Sequence, residues 1–295
     1  MAFLGVEKLF KLKTKNQKKL NPVGILIMVI LLPWSVSKAW TAEEWINQNL
    51  QGPAKGGFRV CADPDNLPYS NQKLEGFENK IAELMAKELG ESPTYYWWPQ
   101  RRGFIRTTLG TKMCDIVMGI PKGYDPVLWT KPYYRTSYVI AYPKNKGFQI
   151  KSLDDPILKE VKIGVYVNTP PHIALSERGI TKNVVGYEVF YDPQENYPGK
   201  IIDDLAAGKL DVAIVWGAIA GYFAKKQPIP IEIVPLLDGG SNSQPFVYDI
   251  SIGVRKSDKE LKAKLEEILD KKKTEIRKIL EDYGVPLIDG KENAQ

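Results

Sequence analysis

The chain has 295 residues, 43% of them hydrophobic and 26% charged, the make-up of an ordinary globular protein rather than a disordered, fibrous or disulfide-dense one. Its single histidine, His172, excludes His-dependent triads and dyads unless that one residue serves, and with only two cysteines the chain lacks the parts for multi-His or multi-Cys metal centres. Lys and Arg exceed Asp and Glu by 41 to 35, a net +6 that taken alone would suggest an anionic partner such as nucleic acid or a membrane surface.

Residues 1–39 change that reading. Lys8, Lys11, Lys13, Lys15, Lys18 and Lys19 precede an apolar run over residues 23–32, and Ser37-Lys38-Ala39 supplies small residues for a cleavage site. The pattern predicts a secretory signal peptide, and an apolar run of this length falls short of the roughly 20 residues that cross a bilayer as a helix. Retention as an uncleaved anchor is the alternative. The segment holds seven lysines against one glutamate, a net +6 equal to that of the whole chain. The mature protein is then close to neutral, so neither a nucleic-acid partner nor a membrane span is expected of it. Export also puts Cys61 and Cys114 where a disulfide can form.

Residues 40–57 read as a linker. From Phe58 onward short β-rich runs alternate with helical ones, the pattern of a mostly parallel sheet with flanking helices. Phe58-Arg59-Val60-Cys61-Ala62 predicts a strand, followed by a Pro/Asp/Asn loop through Tyr69. Ile81, Leu84, Met85 and Leu89 recur at helical spacing, and Gly90 closes that helix. A strand over 95–98, a helix over 103–109 and a strand over 115–119 complete a first α/β unit, which an extended crossing at 138–142 leaves. The second unit has a strand over 161–167, a helix containing Ala174 and Leu175, a helix over 201–206, a strand over 211–216 and a short helix from Ala218. A Gly/Ser/Asn loop at 239–243 leads into a returning strand over 248–254. One amphipathic helix over 259–283 then packs back on the first unit, and residues 289–295 form a flexible tail. The expected architecture is α/β and two-lobed, with residues 58–142 plus 245–288 in one lobe and 143–244 in the other. The hinge crossings lie near 140 and 246.

Cys61-Ala62-Asp63-Pro64, Gly76-Phe77-Glu78, Leu109-Gly110, Cys114-Asp115-Ile116-Val117, Ile163-Gly164-Val165 and Gly208-Lys209-Leu210-Asp211-Val212-Ala213 resemble the type II extracellular solute-binding proteins, whose members include amino-acid receptors of ABC importers. A narrower likeness runs through Asp63-Pro64-Asp65-Asn66-Leu67-Pro68-Tyr69-Ser70-Asn71, Trp97-Trp98-Pro99-Gln100-Arg101-Arg102-Gly103-Phe104, Arg178-Gly179-Ile180, Val184-Val185-Gly186-Tyr187 and Val215-Trp216-Gly217. These segments are similar to binding proteins associated with PQQ-dependent (quinoprotein) methanol and alcohol dehydrogenases, the family of the J protein of methanol-oxidation clusters. The resemblance implies a type II periplasmic binding protein fold and a periplasmic accessory role in methanol oxidation. Its implied partner is the quinoprotein dehydrogenase or its cytochrome c, contacted or helped to mature; the alternative is an importer receptor for a small amino-acid-like or carboxylate solute.

Ligands of open α/β sheets bind beyond the carboxyl ends of the strands. That rule selects Asp63, Asn66 and Tyr69 after the first strand, Arg101 and Arg102 after the second, Lys122 and Tyr124 after the third, and Asn168, Thr169 and Trp216 in the second unit. In the resembled amino-acid receptors an arginine after the third strand grips the ligand carboxylate, and an aspartate after the strand at 211–216 holds its ammonium. Here the first stretch reads Gly119-Ile120-Pro121-Lys122-Gly123-Tyr124-Asp125 and Trp216 stands at the second position. Both clamps are missing, which argues against α-amino acids, although Lys122 could stand in as a point charge. Arg101 and Arg102 open a helix whose amides and dipole favour an anion, or else they brace the loop against Asp63, Asp65 or carbonyls. Asn168 and Thr169 either cap a helix or face the cleft. Tyr69, Trp97, Trp98, Tyr133, Tyr134 and Trp216 could wall a flat or apolar ligand, or fill the core; Trp216 is the strongest of these.

No catalytic residue, cofactor or metal is expected. The Asp pairs at 63 and 65, 154 and 155, and 203 and 204 sit in loops or helix starts, where Asp is common, and no phosphate-binding glycine loop is present. Cys61 ends its strand whereas Cys114 precedes another, which for neighbouring parallel strands suggests Cα atoms beyond the roughly 7 Å that a bridge tolerates. A disulfide between them is left open.

Overall fold

The computed structural model describes residues 57–188, 197–237, 240–241 and 244–289. The segment expected to be a signal peptide, nearly all of the expected linker and the residues after Asp289 lie outside the described residues, as do Asn242 and Ser243. Among the described residues no helix is long and apolar enough to cross a membrane.

β1 (Phe58–Ala62) is buried on both faces except at Arg59, as a parallel strand covered on each side must be. Two short pairing segments follow, β2 (Asp65–Asn66) and β3 (Ser70–Asn71). The chain then enters α1 (Phe77–Glu88), whose Phe77, Ile81, Ala82, Met85 and Ala86 are buried. Gly76 precedes it because a Cβ there would run into the Tyr69 carbonyl. β4 (Pro93–Trp97) and β5 (Ile116–Pro121) flank β1 in parallel, Cys61 standing opposite Tyr96 on one side and Val117 on the other. The helix expected over 103–109 shrinks to a single turn, α2 (Phe104–Thr107).

After β6 (Leu128–Trp129) comes the strand that joins the molecule, β7 (Tyr134–Pro143). Its first part pairs with the returning strand, from Tyr134 opposite Ile250 to Ser137 opposite Val247. Its second part pairs with the following unit, from Tyr138 opposite Trp216 to Ala141 opposite Ala213. That unit contains β8 (Ile163–Tyr166), α3 (Pro170–Glu177), β9 (Val184–Tyr187), α4 (Lys200–Ala206), β10 (Val212–Trp216), α5 (Gly217–Ala224) and β11 (Ile231–Pro235). β12 (Gly240–Ser241) and β13 (Gln244–Pro245) pair with each other, whereas Gly239, Asn242 and Ser243 of the loop expected at 239–243 lie outside the described residues, and β14 (Val247–Val254) returns to the first unit. The main sheet runs β4-β1-β5-β14-β7-β10-β8-β9, with β11 also on β7 and β6 on β14. β14 is antiparallel to β5 and β7, and β10 is antiparallel to β7, so the sheet is mixed where its halves meet.

The C-terminal helix predicted as one piece is two, α6 (Lys259–Lys271) and α7 (Lys273–Asp282). Lys272 leaves helical geometry between them and its ammonium bridges Glu88, at 3.2 Å, and Glu275, at 3.0 Å. With the break there, Leu265, Ile268, Leu269, Ile276 and Leu280 all reach one core with Phe77, Ile81 and Met85 of α1. The second half has its own cores, Ile163, Val165 and Leu175 on one face of the sheet and Ile201, Ile202 and Val215 on the other. Each such fully buried side chain stabilises the fold by about 1.5–3 kcal/mol relative to exposure.

Cys61 and Cys114 are joined in a disulfide with Cα atoms 5.3 Å apart. The expectation that they lie too far apart fails because the chain turns before β5. Lys112 takes a left-handed backbone (φ 63°) and the Asp115 N–H already donates to the Arg59 carbonyl, so Cys114 is beside β1 before the strand begins. Asp115 then accepts from Arg59 and Arg255. Burial pushes its carboxyl up, but the hydrogen bonds from the two guanidinium groups outweigh this and hold it below the usual range.

Candidate binding cleft

A cavity of about 530 Å³ opens where the two halves of the sheet meet. β1 and β5 end at it, and the residues beyond them line it: Asn66 and Tyr69 on one side, Gly119 and Pro121 on the other. Gln100 reaches it from beyond β4. Tyr134 and Tyr138 come from β7, Tyr248 and Ile250 from β14. Trp216 and Ile219 stand where β10 turns into α5, and Pro170 and Gln244 close the far side. The alternation of Tyr248 and Ile250 follows from strand pleating, which sends every second side chain to one face. Trp216 meets Tyr138 edge-on at 5.0 Å between ring centroids and Tyr248 at 5.7 Å. Burial pushes the hydroxyls of Tyr134, Tyr138 and Tyr248 above the ordinary tyrosine value, so these walls are neutral.

Glu78, in the first turn of α1, also lines this cavity. Desolvation pushes its carboxyl up to about 8, because the surrounding protein walls it off from bulk water while leaving it open to the cleft. Gly119, with a left-handed backbone (φ 71°), leaves room beside it; a Cβ there would lie 2.6 Å from Glu78 Oε1. One helical turn puts Glu78 in line with Ala82, and two with Met85, both on the buried stripe. An acid at that spacing is the signal by which it could have been found.

Of the residues expected at a cleft, Asn66, Tyr69, Tyr134 and Trp216 come together in this cavity. Asn66 donates from Nδ2 to Gln100 Oε1 at 3.2 Å. Asp63 stands behind them: its carboxylate accepts from the Gln100 N–H at 2.5 Å and the Asp65 N–H at 2.9 Å, fixing the loop. Arg101, Arg102 and Tyr124 line a separate cavity of about 620 Å³ with Arg106, Phe104 and Pro126. The helix they were expected to open is too short to build an appreciable dipole, so any anion there would meet the guanidinium groups alone.

Lys122 is not among the residues lining either cavity. Its N–H donates to the Asp249 carbonyl at 2.8 Å and its ammonium sits 6.0 Å from the centroid of the Trp129 ring, so it is no substitute for the missing arginine. Asn168 and Thr169 are also absent from the linings. Asn168 adopts a left-handed turn (φ 60°) and its N–H donates to His172 Nδ1 at 3.3 Å. Thr169 Oγ1 donates back to the Tyr166 carbonyl at 2.6 Å, so Thr169 holds the N-cap position without a side-chain cap. Trp97 stacks on Tyr95 with ring centroids 4.7 Å apart, and Trp98 stacks on Tyr96 at 6.3 Å; neither tryptophan is among the cleft-lining residues. Glu78, Gln100, Tyr138, Pro170, Ile219, Gln244, Tyr248 and Ile250 are lining residues that sequence reasoning did not single out. Among the described residues no group of three or more His, Cys, Asp or Glu side chains is placed to hold a metal ion.

The profile of the bacterial extracellular solute-binding proteins, family 3, matches residues 58–286. The chain is 32% identical over 250 residues to protein MoxJ of Methylorubrum extorquens, covering 80% of this chain and 83% of that one. It is 27% identical over 245 residues to protein MoxJ of Paracoccus denitrificans, with 78% and 89% covered. Its fold matches the crystal structure of periplasmic binding protein XoxJ from Methylobacterium extorquens AM1 with a TM-score of 0.68 at 38% identity, covering 79% of this chain and all of that one.

Proposed function

Because the chain belongs to family 3 of the bacterial extracellular solute-binding proteins, we propose that it serves methanol oxidation from the periplasm by binding the quinoprotein dehydrogenase or its cytochrome c rather than by delivering an amino acid to an importer. It is a methanol-oxidation-associated binding protein of the MoxJ kind. The observation that carries the reading is the neutral, aromatic lining of the cleft: Trp216, packed between Tyr138 and Tyr248, stands where an amino-acid receptor needs an anionic clamp. A zwitterion entering this cleft would lose its hydration without finding a guanidinium for its carboxylate, a net cost. Bending near residues 140 and 246 would let residues 58–142 with 245–288 move against 143–244. In support, β7 is shared by both halves of the sheet. No catalytic step is assigned to the chain.

The size of the cavity, about 530 Å³, favours one second reading, a receptor for a small organic solute. Two measurements on the full chain separate them. Co-elution with the purified dehydrogenase or its cytochrome, with no thermal shift from amino acids or small carboxylates, is the expected result. A ligand-specific thermal shift without any protein complex would replace the accessory reading with the receptor one.

A further inference from the structure

Among the described residues that line the cleft, Glu78 is the one carrying a carboxyl, and none carries an ammonium, guanidinium or imidazole; the rest are aromatic, aliphatic, amide, glycine or proline. Desolvation alone perturbs its carboxyl, and among the described residues that carboxyl has no hydrogen-bond partner. A carboxyl deep in a protein is ordinarily paired, because leaving it unpaired is costly. Here it opens onto a space lined by Tyr69, Tyr134, Tyr138, Trp216 and Tyr248, and aromatic rings attract cations through their negative faces.

We propose that the cleft is a receptor site for an alkylammonium group, with Glu78 as the counter-ion and Tyr69, Tyr134, Trp216 and Tyr248 as aromatic walls. An ammonium brings three N–H donors. Glu78 accepts from them, and the amide oxygens of Asn66, Gln100 and Gln244 are the further acceptors the lining offers. The methylene chain packs on the rings. An α-carboxylate on the same molecule would meet Glu78 with no arginine to offset it, so the amine must lack one at that position. The site deepens the proposed function by naming what the cleft recognises, and it rests on that reading only in taking this cleft as the binding surface. The ammonium can be that of a free amine or of a lysine on a docked protein.

Charge balance adds a proton. The empty site holds Glu78 largely protonated at neutral pH, since burial pushes its carboxyl up to about 8; binding a cation favours the carboxylate and releases that proton to solvent. The titratable groups whose ionisation Glu78 opposes are phenols, Tyr95 from β4, Tyr133 just before β7 and Tyr134 at its start. Tyr248 of β14 lines the same space. Burial raises all four above the ordinary value, so none ionises in the range where Glu78 does.

Titration of the full chain with n-butylammonium, followed by tryptophan fluorescence at pH 8.5, tests the site. Saturable binding is expected, with n-butanol and butyrate inert at about tenfold higher concentration. Glu78→Gln, which keeps shape and removes charge, should weaken binding by about tenfold or more, the equivalent of one modest ion pair, while its circular dichroism stays that of the wild type. Affinity should fall by up to about tenfold per pH unit below 8 as protons compete. If n-butylammonium displaces the dehydrogenase or cytochrome from the immobilised chain, the natural occupant is a lysine side chain; if it binds without displacing them, the occupant is a free amine. Absence of saturable binding, equal binding of n-butanol, or undiminished binding by Glu78→Gln overturns the proposal. Failure of the dehydrogenase and cytochrome to bind the wild type would remove the accessory function and leave the amine titration to be judged by itself.

Discussion

Burial moves the Glu78 carboxyl from its ordinary value of 4.5 to about 8, and that displacement must appear in the stability of the fold. Between those two pH values the unfolded chain has given up the proton and the folded chain still holds it, so raising the pH favours unfolding. The contribution is fully present below 4.5 and lost as pH rises through 8. At about 1.4 kcal/mol per pH unit, and allowing for water in the open cleft, the loss is on the order of 3 kcal/mol. Gln mimics the protonated acid at all pH. Urea unfolding should therefore give Glu78→Gln and wild type similar stability at pH 4, with the variant ahead by on the order of 3 kcal/mol at pH 9; a difference that does not change with pH would contradict the burial of this carboxyl. The residue scale is also where sequence reading was weakest. Trp216 was legible because it replaces a charged residue at a strand end, whereas Trp97 and Trp98 resembled it in type and differ only in facing. Lys122 was legible as a charge after β5, but its direction is set by the β5–β14 pairing, a contact remote in sequence.

At the scale of elements, the disulfide fastens the end of β1 to the turn that launches β5. It closes a loop with a sequence separation of 53, containing α1, β4 and α2. A cross-link of that span restricts the unfolded chain and is worth about 2–4 kcal/mol. The Cys61→Ala, Cys114→Ala double variant should unfold at correspondingly lower urea, and dithiothreitol should destabilise wild type while leaving the variant unaffected. Equal sensitivity of both proteins to the reductant would show that the bond does not form. The elements themselves were readable where burial is periodic or continuous: α1 from Ile81, Met85 and their neighbours, β10 from an unbroken apolar run and β1 from one interrupted only at Arg59. β9 and β11 were not predicted as strands because they are half-buried edge segments, and the break at Lys272 was missed because an amphipathic pattern continues through it. The Cys61–Cys114 bond was left open because strand order says nothing about the turn at Lys112.

For the whole molecule the question is what sets the width of the cleft. Beside the bending proposed at the two crossings stands a second contact, in which α5 of the second half rests against the end of α7 in the first. Gly221 and Gly284 meet backbone to backbone, leaving no room for a Cβ on Gly221. Tyr222 stacks on Tyr283 at 5.7 Å with planes 12° apart, and the Lys225 ammonium donates to the Glu281 and Asp282 carbonyls at the end of α7 at 2.9 and 3.0 Å, the Glu281 carbonyl also accepting from the Gly284 N–H. Trp216 and Ile219, at the head of the same helix, line the cleft. A closing motion would have to slide this contact, and close-packed surfaces shift between discrete arrangements rather than yield continuously. Under the proposed bending, a ligand would close the cleft only by binding the closed arrangement more tightly than the open one by more than this contact is worth. Gly221→Leu places a side chain in the seam. Its far-ultraviolet circular dichroism should stay close to that of wild type, since each half keeps its own core. Its radius of gyration in small-angle scattering should rise as the halves are wedged apart, and its urea midpoint should fall by a few kcal/mol in stability, the range for an overpacked buried site. Scattering and midpoint both matching wild type would mean that α5 does not hold the halves in register, and the cleft would then be free to close on whatever enters it.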